Sequence, residues 1–132
     1  MNAFLVEMEN QPGALATVAE AIAKRGINIR NVAAAATGGG GRIAIVTEDD
    51  AGTRAALGDA GVRFTDAEIV AAPLRDQPGS LAQAARRLAD AGVNIEAIMP
   101  MGMTGNEITV GFVTSDPAAA RRILEGAAST PR

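Results

Sequence analysis

The chain has 132 residues, a net charge of −3 and 48% hydrophobic residues, enough for one average domain or two small ones with real cores. Aromatics make up only 2%, so those cores must be aliphatic, and an acidic chain without a basic stretch is a poor binder of nucleic acid or anionic membrane. Cys and His are both absent, which removes disulfides, thiolate metal sites and the commonest general base, and Lys24 is the only lysine.

Residues 2–9 alternate Phe4, Val6 and Met8 with Leu5, Glu7 and Glu9, the period of a strand. This start has no basic segment and no long apolar run, and nowhere does an apolar run approach the ~18 residues of a membrane span. The cytoplasm is the expected compartment. Pro12 suits the first turn of a helix, where its missing N–H is not needed. Leu15, Val18, Ala19 and Ile22 follow at helical spacing and predict one buried face, and Gly26 predicts a left-handed stop. Residues 27–35 read as a second strand, Gly38–Gly41 as a flexible hairpin loop, and 42–48 as a third strand. The glycine run lacks the Gly-Lys-Ser/Thr of a phosphate loop. Glu48, Asp49 and Asp50 suit a helix start better than a hard-metal site, and the helix is expected to run to about Ala60, with Gly61 as its stop. Residues 62–64 read as a short fourth strand.

The same order then returns. Residues 69–74 predict a strand and 78–91 a helix with Leu81, Ala84, Ala85 and Leu88 inward and Gln83, Arg86, Arg87 and Asp90 outward. Residues 93–101 and 108–114 predict two strands, and Pro117 opens a helix through Leu124. Met99, Met101 and Met103 alternate on one strand face, which suits core packing or a pliable pocket wall.

The return is an internal repeat. Gln11-Pro12-Gly13-Ala14-Leu15-Ala16 recurs as Gln77-Pro78-Gly79-Ser80-Leu81-Ala82 at an offset of 66, with 10 identities in the 22 positions from Gln11 to Val32. Beyond that the offset becomes 67, so that Ile43–Thr47 meets Val110–Thr114, which one residue inserted at the glycine-rich hairpin explains. The expected fold class is α+β: two tandem ferredoxin-like βαββαβ modules, residues 1–66 and 67–132, each an antiparallel sheet with its helices on one face. One departure stands out. Ser129 aligns with Val62 and Pro131 with Phe64, so the second module's fourth strand is short, apolar-poor or absent. Its sheet edge then needs cover, and a second chain is the expected cover, giving a homodimer.

Two motifs in register, Asn10-Gln11-Pro12-Gly13-Ala14-Leu15 with Gly26-Ile27-Asn28-Ile29, and Asp76-Gln77-Pro78-Gly79-Ser80-Leu81 with Gly92-Val93-Asn94-Ile95, give the chain a resemblance to the ACT domain family. It looks most like stand-alone proteins of two such modules without a catalytic domain. The resemblance implies binding of an amino acid or similar small metabolite at the interface between paired modules, and feedback control. No cofactor and no metal are expected. The binding positions it implies are Asn10, Gln11, Gly13, Ala14, Leu15, Asn28 and Ile29 in one copy and Asp76, Gln77, Gly79, Ser80, Leu81, Asn94 and Ile95 in the other.

The residues offer a physical reason. The first N–H groups of a helix lack internal partners, and glycine lets a ligand carboxylate approach them; equally, Pro-Gly serves as a tight helix start and nothing more. Asn28 and Asn94 can bond the Pro-Gly loop or offer an amide oxygen to an ammonium group. Only the second loop carries a carboxylate, Asp76 against Asn10, and a hydroxyl, Ser80 against Ala14, so it is expected to be the better amino-acid site. The alternative reading is a non-catalytic subunit that docks on an amino-acid biosynthetic enzyme. An enzyme is disfavoured by the missing His, and an RNA-binding sheet by the acidic charge and the three Phe that are its only aromatics.

Overall fold

A computed structural model describes residues 1–129. The chain divides into two compact units, Met1–Ala67 and Glu68 onward. The βαββαβ order runs complete in the first and as βαββα in the second, the tandem ferredoxin-like arrangement read from the repeat.

The first unit contains β1 (Asn2–Glu9), α1 (Ala14–Ala23), β2 (Ile29–Thr37), β3 (Gly40–Thr47), α2 (Asp50–Asp59) and β4 (Phe64–Glu68), with strand order β2-β3-β1-β4. The alternation in β1 sends Phe4 and Val6 to the helix face, where Val18 and Ile22 of α1, Ile43 and Ile45 of β3, and Ala56 and Leu57 of α2 close over them. Each fully buried aliphatic side chain of this kind stabilises by ~1.5–3 kcal/mol. Phe64 tilts against Phe4 with ring centroids 6.1 Å apart. The start of α2 is fixed by Asp49, whose side chain accepts from the Gly52 N–H at 2.8 Å. The carboxylates here therefore act as helix-start charge. Behind that cap the hydroxyls of Thr47 and Thr53 meet at 2.7 Å in the interior.

The second unit contains β5 (Val70–Arg75), α3 (Ser80–Asp90), β6 (Ile95–Thr104), β7 (Glu107–Thr114) and α4 (Pro117–Ser129). Its sheet, among the described residues, has three strands in the order β5-β7-β6. Val70 and Ala72, Phe112, Ala84 and Leu88, and Ala120 and Leu124 form its core. Helix α4 continues five residues past the expected Leu124, through Ser129. The position aligned with the start of a fourth strand is thus helical, and Pro131 lies outside the described residues.

Among the described residues no strand pairs with the outer edge of β5, and that edge is blunted by its own sequence. In the first unit the Glu7 N–H donates to the Arg63 carbonyl beside β4 at 3.0 Å. Its counterpart in β5 is Pro73, which pairs with Thr109 of β7 as Glu7 pairs with Arg42 of β3. Proline has no N–H to offer a fourth strand, and edge strands are where such prolines belong. Proline thus removes one donor from the edge for which a second chain is the expected cover.

Register also relocates the inserted residue. The β2–β3 pairing is unbroken from Asn31 to Thr37, whereas β6 shifts against β7 between Pro100 and Gly102. Both hairpins turn on two residues, Gly38-Gly39 and Gly105-Asn106. The extra residue is therefore Met101, held as a β-bulge, and not part of the glycine-rich hairpin. The bulge breaks the methionine alternation: Met99 pairs with Gly111 and Met103 with Ile108, three residues apart on β7 and so facing opposite sides.

Candidate functional site

The Pro-Gly loops are built identically. Gly13 has φ 89° and ψ −8°, and Gly79 has φ 93° and ψ −13°. The Ala14 N–H returns to the Gln11 carbonyl at 3.3 Å and the Ser80 N–H to the Gln77 carbonyl at 3.4 Å. Each motif is therefore a type II turn, with Pro at the position that fixes φ and Gly at the position that requires φ > 0. This corrects the expectation that Pro12 lies in the first helical turn: it precedes a helix that begins at Ala14, as Pro78 precedes one that begins at Ser80. Upstream, the Asn10 N–H donates to the Gly39 carbonyl at 3.0 Å and the Asp76 N–H to the Asn106 carbonyl at 2.7 Å, pinning each turn to the tip of its hairpin. Neither α1 nor α3 has a side-chain cap, so both starts leave backbone N–H groups facing outward at the positive end of the helix dipole.

The loops then diverge. The Asn10 amide donates to the Gly38 carbonyl at 2.9 Å, a structural engagement that the acceptor-only Asp76 cannot reproduce. Met8 folds over Gly41, where a Cβ would stand 3.0 Å from the Met8 Cε. In the second unit Ile108 takes the place of Gly41 and Leu74 that of Met8, and a cavity of about 370 Å3 opens beside the turn. Asp76, Gln77, Ser80 and Leu81 bring the loop and the first turn of α3 to it. Leu74, Ile108 and Val110 form its sheet side, with Ile98, Met99 and Pro100 of β6 at its flank. Arg75 completes the lining. Among the described residues no ion pair engages Arg75 or Asp76, although Glu107 stands opposite Arg75 in register.

Four of the seven positions expected in this copy thus line one cavity, and Gly79 shapes the turn between them. Asn94 and Ile95 do not line it. Ile95 packs against the core, and Asn94 is tied through its backbone to Ser115, N–H to Oγ at 3.0 Å and carbonyl to N–H at 3.0 Å. In the first unit Gln11, Gly13 and Ala14 form the turn, and Leu15 stands 47% exposed at its helix start. Asn28 is exposed just before β2, and Ile29 packs against the first core. No side-chain hydrogen bond joins Asn28 or Asn94 to the Pro-Gly loops among the described residues. Sequence reasoning placed Leu15 and Leu81 on buried helix faces, yet both are half exposed, and Leu81 borders the cavity. It missed Leu74, Arg75, Ile98, Pro100, Ile108 and Val110. The available signal was the change from Glu9 to Arg75 beside the change from Asn10 to Asp76, which gives one loop both signs of charge.

A larger, open depression of about 1000 Å3 runs over α1 and α2. The Arg25–Asp59 ion pair at 2.6 Å already satisfies charges along it. Among the described residues there is no cluster of acidic side chains able to hold a metal ion, and no helix is long and apolar enough to cross a membrane.

Repeated ferredoxin-like modules, each opening its first helix from a Pro-Gly turn, define a tandem α+β protein of the small-module class. Residues 3–59, within the first unit, match the ACT domain family. A protein from Bacteroides thetaiotaomicron has a similar structure, with TM-score 0.76 and 24% identity over 95% of this chain and 86% of that one. The regulatory subunit of aspartate kinase from Thermus thermophilus, in its ligand-free form, superposes with TM-score 0.66 and 23% identity over 96% of this chain and 90% of its own. The corresponding subunit from Thermus flavus gives 0.64 and 21% over 96% and 92%. No curated protein matches at the sequence level.

Proposed function

We propose that this chain is an amino-acid-binding regulatory protein without chemistry of its own, and that its working ligand site is the second Pro-Gly loop. The observation that carries this reading is the cavity beside Gln77–Ser80, lined by a carboxylate with no ion-pair partner among the described residues. The uncapped start of α3 suits a ligand carboxylate, and Asp76 suits its ammonium group. The first loop is the weaker site, since Asn10 is spent on Gly38. Pairing of modules, within a homodimer in the cytoplasm, closes the mouth of the site. That part of the reading rests on the family resemblance, and Pro73 argues for a dimer surface other than the β5 edge.

The test is a thermal-shift screen against the twenty amino acids, since a ligand that binds only the folded state raises the melting temperature by mass action. Calorimetry on Asp76→Asn and Asn10→Ala then locates the site. The expected outcome is weakened binding for Asp76→Asn and unchanged binding for Asn10→Ala. The reverse pattern moves the site to the first loop, and a flat screen at millimolar concentrations removes the amino-acid reading.

A second reading is a regulatory subunit that docks on a separate amino-acid biosynthetic enzyme. Two of the similar structures being regulatory subunits of aspartate kinase favours it. A stoichiometric enzyme partner co-purifying from cell extract would support it, and the two readings are compatible.

A further inference from the structure

Resting on the amino-acid reading of the second loop, we infer that the ligand's side chain is aliphatic and uncharged, and that the wall of the cavity selects it. The argument is one of charge accounting. The lining holds one cation, Arg75, and one anion, Asp76. A zwitterionic α-amino acid brings one carboxylate, for Arg75 together with the uncapped start of α3, and one ammonium group, for Asp76, so the backbone of the ligand uses both. Nothing charged remains for a third charge on the side chain. The rest of the lining is dominated by Leu74, Leu81, Ile98, Pro100, Ile108 and Val110. A lysine, arginine, aspartate or glutamate side chain laid against these groups would lose its water without gaining a partner, which is strongly unfavourable. An aliphatic chain gains by the same move.

The first unit supports the assignment by contrast. Its counterparts of Arg75 and Asp76 are Glu9 and Asn10, so it offers no cation for a ligand carboxylate at that position and a single anion. Glycine and alanine residues stand at Gly41 and Ala34, where the second unit has Ile108 and Pro100. The apolar wall and the pair of opposite charges occur together, in one copy.

The test is isothermal calorimetry on the full chain with a ladder of unbranched amino acids: alanine, 2-aminobutyrate, norvaline and norleucine. Each added methylene should tighten binding by about fourfold as it leaves water. Lysine, which has the length of norleucine plus a terminal charge, should bind far more weakly than norleucine. Leu81→Gln, at a site half exposed and therefore safe for folding, should flatten the ladder. Leucinamide and 4-methylpentanoate, each lacking one backbone charge, should both bind more weakly than leucine. Equal affinity for lysine and norleucine, or a flat ladder in the unchanged protein, overturns the side-chain assignment and leaves amino-acid binding standing. Binding of leucinamide as tight as that of leucine overturns the carboxylate half of the charge accounting. If the full set of amino acids fails to bind, the underlying reading falls and the selectivity falls with it.

Discussion

Replacing Gly79 by alanine isolates the cost of the turn that starts α3. A Cβ at this residue would meet nothing within 4 Å, so no collision opposes the change. The backbone does, because φ is 93° and left-handed conformations are unfavourable for an L-residue by roughly 1–2 kcal/mol. Alanine also stiffens the unfolded chain, which offsets about 0.4–1 kcal/mol of this. The net destabilisation should be about 1 kcal/mol, or roughly a fivefold loss in the folding equilibrium. Urea denaturation would show the midpoint of the second unit falling at unchanged slope. D-Alanine at the same position, introduced by semisynthesis, keeps the unfolded-state gain without the strain and should stabilise instead. Gly58→Ala is the control. Gly58 sits near the end of α2 with open space around it and no positive φ, so alanine there should stabilise by up to ~1 kcal/mol. Gly79→Ala matching the parent in stability, or D-alanine destabilising as much as L-alanine, would refute the turn assignment.

Three further outcomes follow from the structure. Pro73→Val restores an N–H to the open edge of β5, and sedimentation velocity should show more concentration-dependent association than in the parent; unchanged behaviour would mean that proline is not what protects the edge. Asp66 is held below the ordinary carboxylate value of 3.8, first by the hydrogen bond from Arg54 and then by that from Asn2, against the opposing effect of burial. Its lowered folded-state pKa means that its contribution to stability is present above the unfolded value and is lost as pH falls through the folded one. Asp66→Asn should therefore be less stable than the parent near neutral pH and converge with it in strong acid, as read by denaturation across pH; a gap that persists in acid would refute the linkage. Thr53→Val removes one member of the buried hydroxyl pair at 2.7 Å and should destabilise the first unit by about 1–3 kcal/mol by chemical denaturation, because the Thr47 hydroxyl loses a partner inside the protein.

Much of this molecule was legible because it is written twice. The Pro-Gly and Gly-x-Asn-Ile motifs placed helices and strands within a few residues, and the Asn10–Asp76 difference pointed to the loop where a lined cavity is found. What escaped depended on three-dimensional register. Helical spacing assigns Leu15 and Leu81 to the faces of Val18 and Leu88, but the first turn of each helix leaves its leucine half exposed. Matching identities shows that a residue was inserted but not where, since only the ladder of β6 against β7 distinguishes a longer turn from a bulge. Pro12 satisfies the rules for a helix start and for a type II turn alike, and the φ of Gly13 decides between them. The meaning of Pro73 lies in its counterpart Glu7, whose N–H donates to the Arg63 carbonyl just before β4.

Lengthening a strand by one residue ordinarily sends everything beyond it to the wrong side of the sheet. At Met101 the bulge absorbs the insertion: Gly102, Met103 and Thr104 pair with Thr109, Ile108 and Glu107 as Ala35, Ala36 and Thr37 pair with Arg42, Gly41 and Gly40, so no core residue changes face. The stretch affected lies just past Ile98 and Pro100, at the flank of the cavity. A duplicated module thus has a place where the wall of its cavity can be rewritten, in length as well as in side chains, while Leu88, Phe112 and Leu124 keep the fold unchanged beneath it. Divergence between sister copies can be confined to one flank of a cavity.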